Sequence, residues 1–337
     1  PMERIDERDT IFSRMTLTPG SEGFTEYYRR RPELEEIDNR LRSIGPGIFS
    51  AHIPEAPMVE ATFGFITQLR QFVRGWEGEY RFPHRNETEP EPEKLTEYVK
   101  KTARTYGAVQ SGVTAGEERY HYGVRGRGSR YGEPVTAILP HLFIFAIEMD
   151  EEEIRTAPGI REAAEVAHTY LKAANPALVI ASYLRSLGYR AVAHIDGETE
   201  IVMPPAAEAA GLGRIGRNGL LLTKKEGCRV RLAAVTTDAP LLHDTPKPFP
   251  LELVCENCNK CAELCPAGAI PSGPIKHRWR EAIRSTDHED CFSVWKKMGT
   301  DCGVCISACP YSNKQSSRSA ETQPGGSSFL KRFMYGG

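Results

Sequence analysis

Nowhere in this 337-residue chain is there an apolar run long enough to cross a bilayer, and neither sign of charge prevails. The longest such run, Val135 to Met149 (VTAILPHLFIFAIEM), falls short of the ~20 residues a spanning helix needs. Pro140 and His141 interrupt it, so it reads as a buried strand. The formal net charge is −2, and without a concentrated basic face there is no counterion release to drive nucleic-acid binding, which removes nucleic acid as a main partner. The amino end has neither the basic nor the apolar stretch of a targeting signal, and the arginines of YRRRPE lack the apolar segment that follows a twin-arginine motif. The opening Pro1-Met2 has the look of an artificial junction, which leaves a removed signal open. Cysteine is missing from the first 227 residues; eight of the nine fall between Cys255 and Cys309. With 40% hydrophobic residues the rest can bury a core of its own, as an ordinary soluble protein of one or two domains.

What is present alternates between helix and strand. SEGFTEYYRRRPELEEIDNRLRSIG has helical spacing, with Ser21 as its cap and Gly45 as its stop. Phe82 to Lys94 is polar and proline-rich and reads as a loop, followed by helical EKLTEYVKKTARTYGA. After the apolar strand, PGIREAAEVAHTYLKAANPALVIASYLRSLGYRAVAHI reads as helix, an interruption or kink at Pro176, more helix, a Gly188 cap and a strand from Arg190. RVRLAAVTTDAPL alternates like a further strand. These elements predict a mixed α/β body of roughly 250 residues followed by a small, metal-organised segment.

That segment opens on CENCNKCAELCP, which is C-x2-C-x2-C-x3-C-P, the spacing with which bacterial ferredoxins hold four-iron cubes. Short gaps let three thiolates wrap one cluster from a single loop, while the fourth points to a second cluster. Cys302, Cys305 and Cys309-Pro310 repeat the ending, and Cys291 supplies the first position across a stretched gap. Crossing the fourth ligands assigns Cys255, Cys258, Cys261 and Cys309 to one cluster and Cys265, Cys291, Cys302 and Cys305 to the other. Structural zinc favours two C-x2-C pairs and lacks this rhythm, and a disulfide framework does not explain it. Cys228, in KEGCRVR, is left over and reads as a small buried hydrophobe.

GLGRIG, Gly211 to Gly216, matches G-x-G-x-x-G, and Asp238 follows at the distance of a ribose contact. A dinucleotide site needs a strand entering the glycines, and PPAAEAA is not one. The glycines instead permit close approach of backbone to a neighbouring element or a flat ligand.

In this order, DERDTIFSR, PGSEGFTEYYRRRPELEEIDNRLR, FAIEMDEEEIRTAP, ASYLRSLGYRA, AAGLGRIGRNG and CRVRLAAVTTDAPL lead into the paired cluster motifs, and the ordered set resembles the corrinoid-dependent reductive dehalogenases. The resemblance covers most of the chain and is far more specific than the ferredoxin spacing alone. It implies a mixed α/β, nitroreductase-like corrinoid-binding core with a ferredoxin-like domain holding two 4Fe-4S clusters. It also implies a base-off cobalamin, in keeping with the lack of a D-x-H-x-x-G stretch that would supply a histidine to cobalt. By the same resemblance, Gly211, Leu212, Gly213, Arg214 and Gly216 form the corrinoid-contacting loop, and Tyr170 is the proton donor. Its assisting cation is then Arg231, which fits the family's V-R step, with Arg229 second. A neighbouring guanidinium is expected to lower the phenol's pKa and ease proton donation.

The implied organisation is a 1–130 region packing on the core, a 131–250 corrinoid-binding core, a 251–315 cluster domain and a loosely ordered 316–337 tail. The implied partners are a small organohalide, an external electron donor and a small membrane-anchor protein, with a homodimer left open. The implied location is exported, at the outer face of the cytoplasmic membrane, with a cytoplasmic enzyme as the alternative. Two rival readings stand beside this one: an epoxyqueuosine reductase-like enzyme, with an aspartate in place of Tyr170 and a basic surface for tRNA, and an electron-transfer protein without corrinoid.

Overall fold

The computed structural model describes residues 4–45, 55–73, 90–246, 255–275 and 285–313, with Gly47 and Ile53. Helices α1 (Ile11–Met15), α2 (Glu22–Arg30), α3 (Pro32–Ser43), α4 (Ala56–Leu69) and α5 (Pro92–Thr105) precede strand β1 (Ala108–Ala115). Then come β2 (His141–Glu148), α6 (Glu151–Ile154), α7 (Ile160–Ser186), β3 (Ala191–His194), α8 (Met203–Ala209), β4 (Arg214–Ile215), β5 (Leu221–Leu222) and β6 (Val230–Thr237).

The main sheet is antiparallel throughout, in the order β1-β2-β6-β3. The apolar run predicted from Val135 is a strand only from His141, beyond the proline that cannot donate to a ladder. Its continuous apolarity follows from cover on both faces. Phe143, Phe145 and Ile147 pack with Leu95 and Val99 of α5 and with Ala173, Ala177, Ile180 and Leu184 of α7. Leu142, Ile144 and Ala146 point the other way, against Ala206 and Ala207 of α8. A strand buried on both sides shows no alternation, because neither face meets water. Both α5 and β1 belong to this core, ahead of residue 131.

Local chemistry explains the helix ends. Ser21 accepts from the Phe24 N–H at 3.2 Å, as expected, but the helix it starts stops at Arg30. Pro32 bars its predecessor from helical backbone and takes the first position of α3, so the expected single helix is two. The loop predicted from Phe82 lies outside the described residues as far as position 89, and Pro92 already opens α5. Helix α7 runs unbroken through Pro176, packed flat on the sheet by its alanines. It ends where Gly188 takes φ +90°, with Gly188 N–H bonded to Arg185 O at 2.8 Å and Tyr189 N–H to Leu184 O at 3.1 Å.

Candidate functional site

The cysteine segment is fastened to the α/β body by buried arginines. Arg217, in the turn between β4 and β5, donates from Nε to Cys258 O at 3.1 Å, from Nη2 to Cys255 O at 2.8 Å and from Nη1 to Pro271 O and Gly273 O. Arg229, 1% exposed, donates from Nε to Ser312 O, from Nη1 to Met149 O and from Nη2 to Glu148 at 3.0 Å. Cys228 N–H also donates to Ser312 Oγ at 3.0 Å, and the two sides meet so closely that a Cβ on Gly227 would lie 2.5 Å from Ser312 N. A third arginine, Arg14 on α1, is paired with Asp38 at 3.6 Å and with Glu289 of the helix His288–Met298.

Cys255, Cys258, Cys261 and Cys309 line one hollow together with Gly216, Arg217, Asn218, Leu222 and Cys228. Burial, followed by the charges of Cys309, Cys255 and Cys258, pushes the Cys261 thiol up to about 11. The second set converges likewise. Burial, then the charge of Cys265, raises Cys291 to about 11, and Cys302 rises to about 12 through burial, with Cys291 and Cys265 among its neighbours. None of these cysteines is in a disulfide. Among the described residues no three His, Cys, Asp or Glu side chains close on a single metal ion, whose sulfurs would sit about 3.8 Å apart at a Zn–S distance of about 2.3 Å. Burial and neighbouring thiols raise Cys255, Cys261, Cys291, Cys302 and Cys305, whereas Cys228 lowers Cys309; a cationic core that compensates several thiolates at once fits such a gathering.

Tyr170 projects from α7 toward β6. The guanidinium of Arg231, which sits opposite Ile147 in the β2–β6 register, lies over its ring at 4.9 Å from the centroid. Phe63 of α4 approaches the same ring, 6.4 Å between centroids. Tyr170 and Phe63 pack on an apolar cluster, built around Met149, Ile154, Val166 and Leu222, that also receives Cys255, Cys305 and Cys309. The tyrosine and both thiol sets therefore share one apolar neighbourhood.

Electrostatics at Tyr170 differ from the expectation. Burial raises its pKa, and Arg231 opposes the rise without overcoming it, because losing water costs phenolate more than one cation over the ring returns. The hydroxyl is thus held protonated at neutral pH. Arg231 itself is pulled down by burial and more than restored by Tyr170, Asp301, Glu162 and Asp196. Its Nε is buried without a hydrogen-bond partner, as are both carboxylate oxygens of Glu162, which is 0% exposed. Burial, then Asp301, pushes Glu162 up to about 8, and burial lifts Asp301 to about 6. Tyr170, Arg231 and Asp301 are half-buried, and burial disfavours the charged form of each. The unpartnered Arg231 N–H and the neutral phenol fit a ligand fringed with acceptors, as an amide-bearing corrinoid is.

The remaining predicted residues go elsewhere. Arg229 is spent on its Ser312, Met149 and Glu148 partners and does not reach Tyr170's ring. Gly211 ends α8 at φ +82°, with Gly211 N–H on Glu208 O and Leu212 N–H on Ala207 O, both at 3.0 Å. A Cβ on Gly213 would lie 2.2 Å from Leu222 O, so that glycine admits a strand. Gly211, Leu212, Gly213 and Arg214 line an outer groove of about 960 Å³ beside β1, whereas Gly216 alone of the set faces the first thiol hollow. The segment before the glycines is helix α8, and Asp238 holds Arg190 at 2.7 Å, in keeping with the rejection of a dinucleotide site. Sequence reasoning missed Arg217, Asn218, Glu162 and Asp301; an arginine or carboxylate carries no local sign that it will be buried. Cys228 is buried as expected, but its thiol also donates to Cys309, the largest of the causes that lower the Cys309 pKa.

Residues 254–313 match the family model of the 4Fe-4S dicluster domain. The tetrachloroethene reductive dehalogenase of Desulfitobacterium hafniense is 38% identical over 186 residues, covering 50% of this chain and 32% of that protein. An epoxyqueuosine reductase of Aliivibrio fischeri is 37% identical over 137 residues, 39% of this chain and 35% of that one. The chain spans about a third of the length of these curated relatives. In fold it is similar to a catabolic reductive dehalogenase solved with 3-bromo-4-hydroxybenzoic acid, at TM-score 0.73 and 23% identity over 92% of this chain and 42% of that one. With a mixed α/β core, a carboxyl-terminal iron–sulfur domain and this sequence likeness, the chain is a homologue of the corrinoid-dependent reductive dehalogenases.

Proposed function

We propose that the chain carries the catalytic centre of a reductive dehalogenase, which replaces halide on a small organohalide by hydrogen: two electrons and one proton enter, and halide leaves. The observation that supports this most is Tyr170, held protonated beneath Arg231 and packed on the apolar cluster that also takes Cys255, Cys305 and Cys309. Two 4Fe-4S clusters, on Cys255, Cys258, Cys261 and Cys309 and on Cys265, Cys291, Cys302 and Cys305, would pass single electrons inward from an external donor. A base-off cobalamin bound beside Tyr170 and Arg231 would supply the reduced metal chemistry that breaks the carbon–halogen bond. The protein's own residues position and protonate. Tyr170 Oη delivers its proton to the carbon that loses halide, and Arg231 stabilises the phenolate left behind. Phe63 covers the ring and keeps water from competing for that proton.

No helix among the described residues is long and apolar enough to cross a membrane. For location we retain an exported protein held by a separate small anchor as the proposal, with a cytoplasmic enzyme as the alternative. The test is Tyr170→Phe in anaerobically reconstituted protein, followed by halide release with reduced viologen. Turnover should fall at least about a hundredfold, the usual worth of a general acid, with cobalt and iron content unchanged. Near-normal turnover sinks the donor role, and parent protein that takes up iron but no corrinoid points to a plain electron carrier.

A further inference from the structure

We propose that Arg217 raises the reduction potential of the cluster held by Cys255, Cys258, Cys261 and Cys309, selectively over the other cluster, besides fastening its loop; this rests on the two-cluster reading above. The guanidinium is 6% exposed, and every acceptor it has is a neutral backbone carbonyl: Cys255 O, Cys258 O, Pro271 O and Gly273 O. Among the described residues no carboxylate pairs with it. Arginine stays protonated in such surroundings, so a full positive charge sits in the wall of the first thiol hollow with no counter-ion but the centre itself.

A cube held by four thiolates gains one more negative charge on taking up an electron. A buried, uncompensated cation beside it favours the reduced form, and poor screening in the interior makes the effect large. The second thiol set has a carboxylate rather than a lone cation beside it: Asp301 acts on Cys291. Other buried arginines around this segment are matched by acids, Arg229 by Glu148 and Arg14 by Asp38 and Glu289. Fastening alone would not require Arg217 to differ from them.

The experiment uses the full chain, reconstituted anaerobically, with dye-mediated redox titration followed by electron paramagnetic resonance and by iron counting. Arg217→Gln keeps two donors without the charge. One centre should then shift toward its oxidised form at least tenfold, about 59 mV for one electron, while the other moves less than threefold. Arg217→Lys keeps the charge without the fork and should hold that centre within threefold of the parent. Unchanged potentials in Arg217→Gln, or equal shifts of both centres, overturn the proposal. If Arg217→Gln fails to retain the centre, Arg217→Lys decides: a centre kept within threefold supports the charge, whereas its loss or a tenfold shift leaves fastening as the whole role. A parent protein without two paramagnetic centres defeats the two-cluster reading instead, a result distinct from unmoved potentials.

Discussion

Exchanging either Arg229 or Arg231 for methionine should separate two arginines that stand two positions apart, one holding the fold and one to which the proposed function gives a part in the chemistry. Methionine approximates the volume of each side chain, so the difference reports lost polar partners rather than a cavity. Arg229→Met leaves Ser312 O and Met149 O unpaired in the interior and strips Glu148 of its cation at 3.0 Å, while Glu151 keeps Arg155. Two orphaned carbonyls cost about 1–3 kcal/mol each. Glu148 is partly exposed and rehydrates, which holds the whole to ~3–5 kcal/mol, the usual cost of breaking a buried pair from one side. At about 2–4 °C per kcal/mol for a body of this size, apparent melting should fall by roughly 6–20 °C. Arg231→Met orphans no hydrogen-bond acceptor and removes a desolvated cation, so its melting should stay within about 3 °C of the parent. Its halide release should drop at least about tenfold, since the phenolate of Tyr170 loses the charge above its ring. Circular dichroism melts and viologen-driven turnover on the same anaerobic preparations decide the matter. An Arg229→Met protein that melts like the parent, or an Arg231→Met protein that melts more than about 3 °C below the parent, would refute the assignment.

Glu162 and Gly227 yield further expectations. Folding raises the Glu162 pKa to about 8, so between roughly pH 5 and 8 the folded state keeps a proton the unfolded state has released, and stability falls as pH rises. Glu162→Gln should remove about 1.4 kcal/mol per pH unit of that slope, read from urea midpoints at about pH 5.5 and 7.5; a parent whose stability rises over this window contradicts the sign. Gly227→Ala places a Cβ 2.5 Å from Ser312 N and 2.5 Å from Tyr311 C at φ +62°. It should cost at least ~2 kcal/mol and speed iron loss to a chelator, because the displaced backbone directly follows Cys309; an iron-loss rate equal to the parent's would show that the contact does not support the cluster loop.

Much of this protein was legible in the chain itself wherever the controlling interaction is short in sequence. The C-x2-C-x2-C-x3-C-P run restricts which thiolates one loop can present together, Ser21 and Gly188 act within one turn of their helices, and the apolar run through Phe143 and Phe145 follows from burial of both strand faces. Even there, Pro32 divided an expected helix while Pro176 did not divide another. Pro32 stands where a helix begins, whereas the alanines around Pro176 are held flat against the sheet. Arg217, Arg229 and Arg231 lie within fifteen residues and look alike in sequence, yet one grips carbonyls 38 and 41 positions away, one reaches 83 positions to Ser312, and one covers Tyr170. Which of them is matched by an acid, left without a counter-ion or aimed at a ring depends on how distant segments fold together. Local composition has no access to that, because burial and partners, more than residue type, set what a charge does.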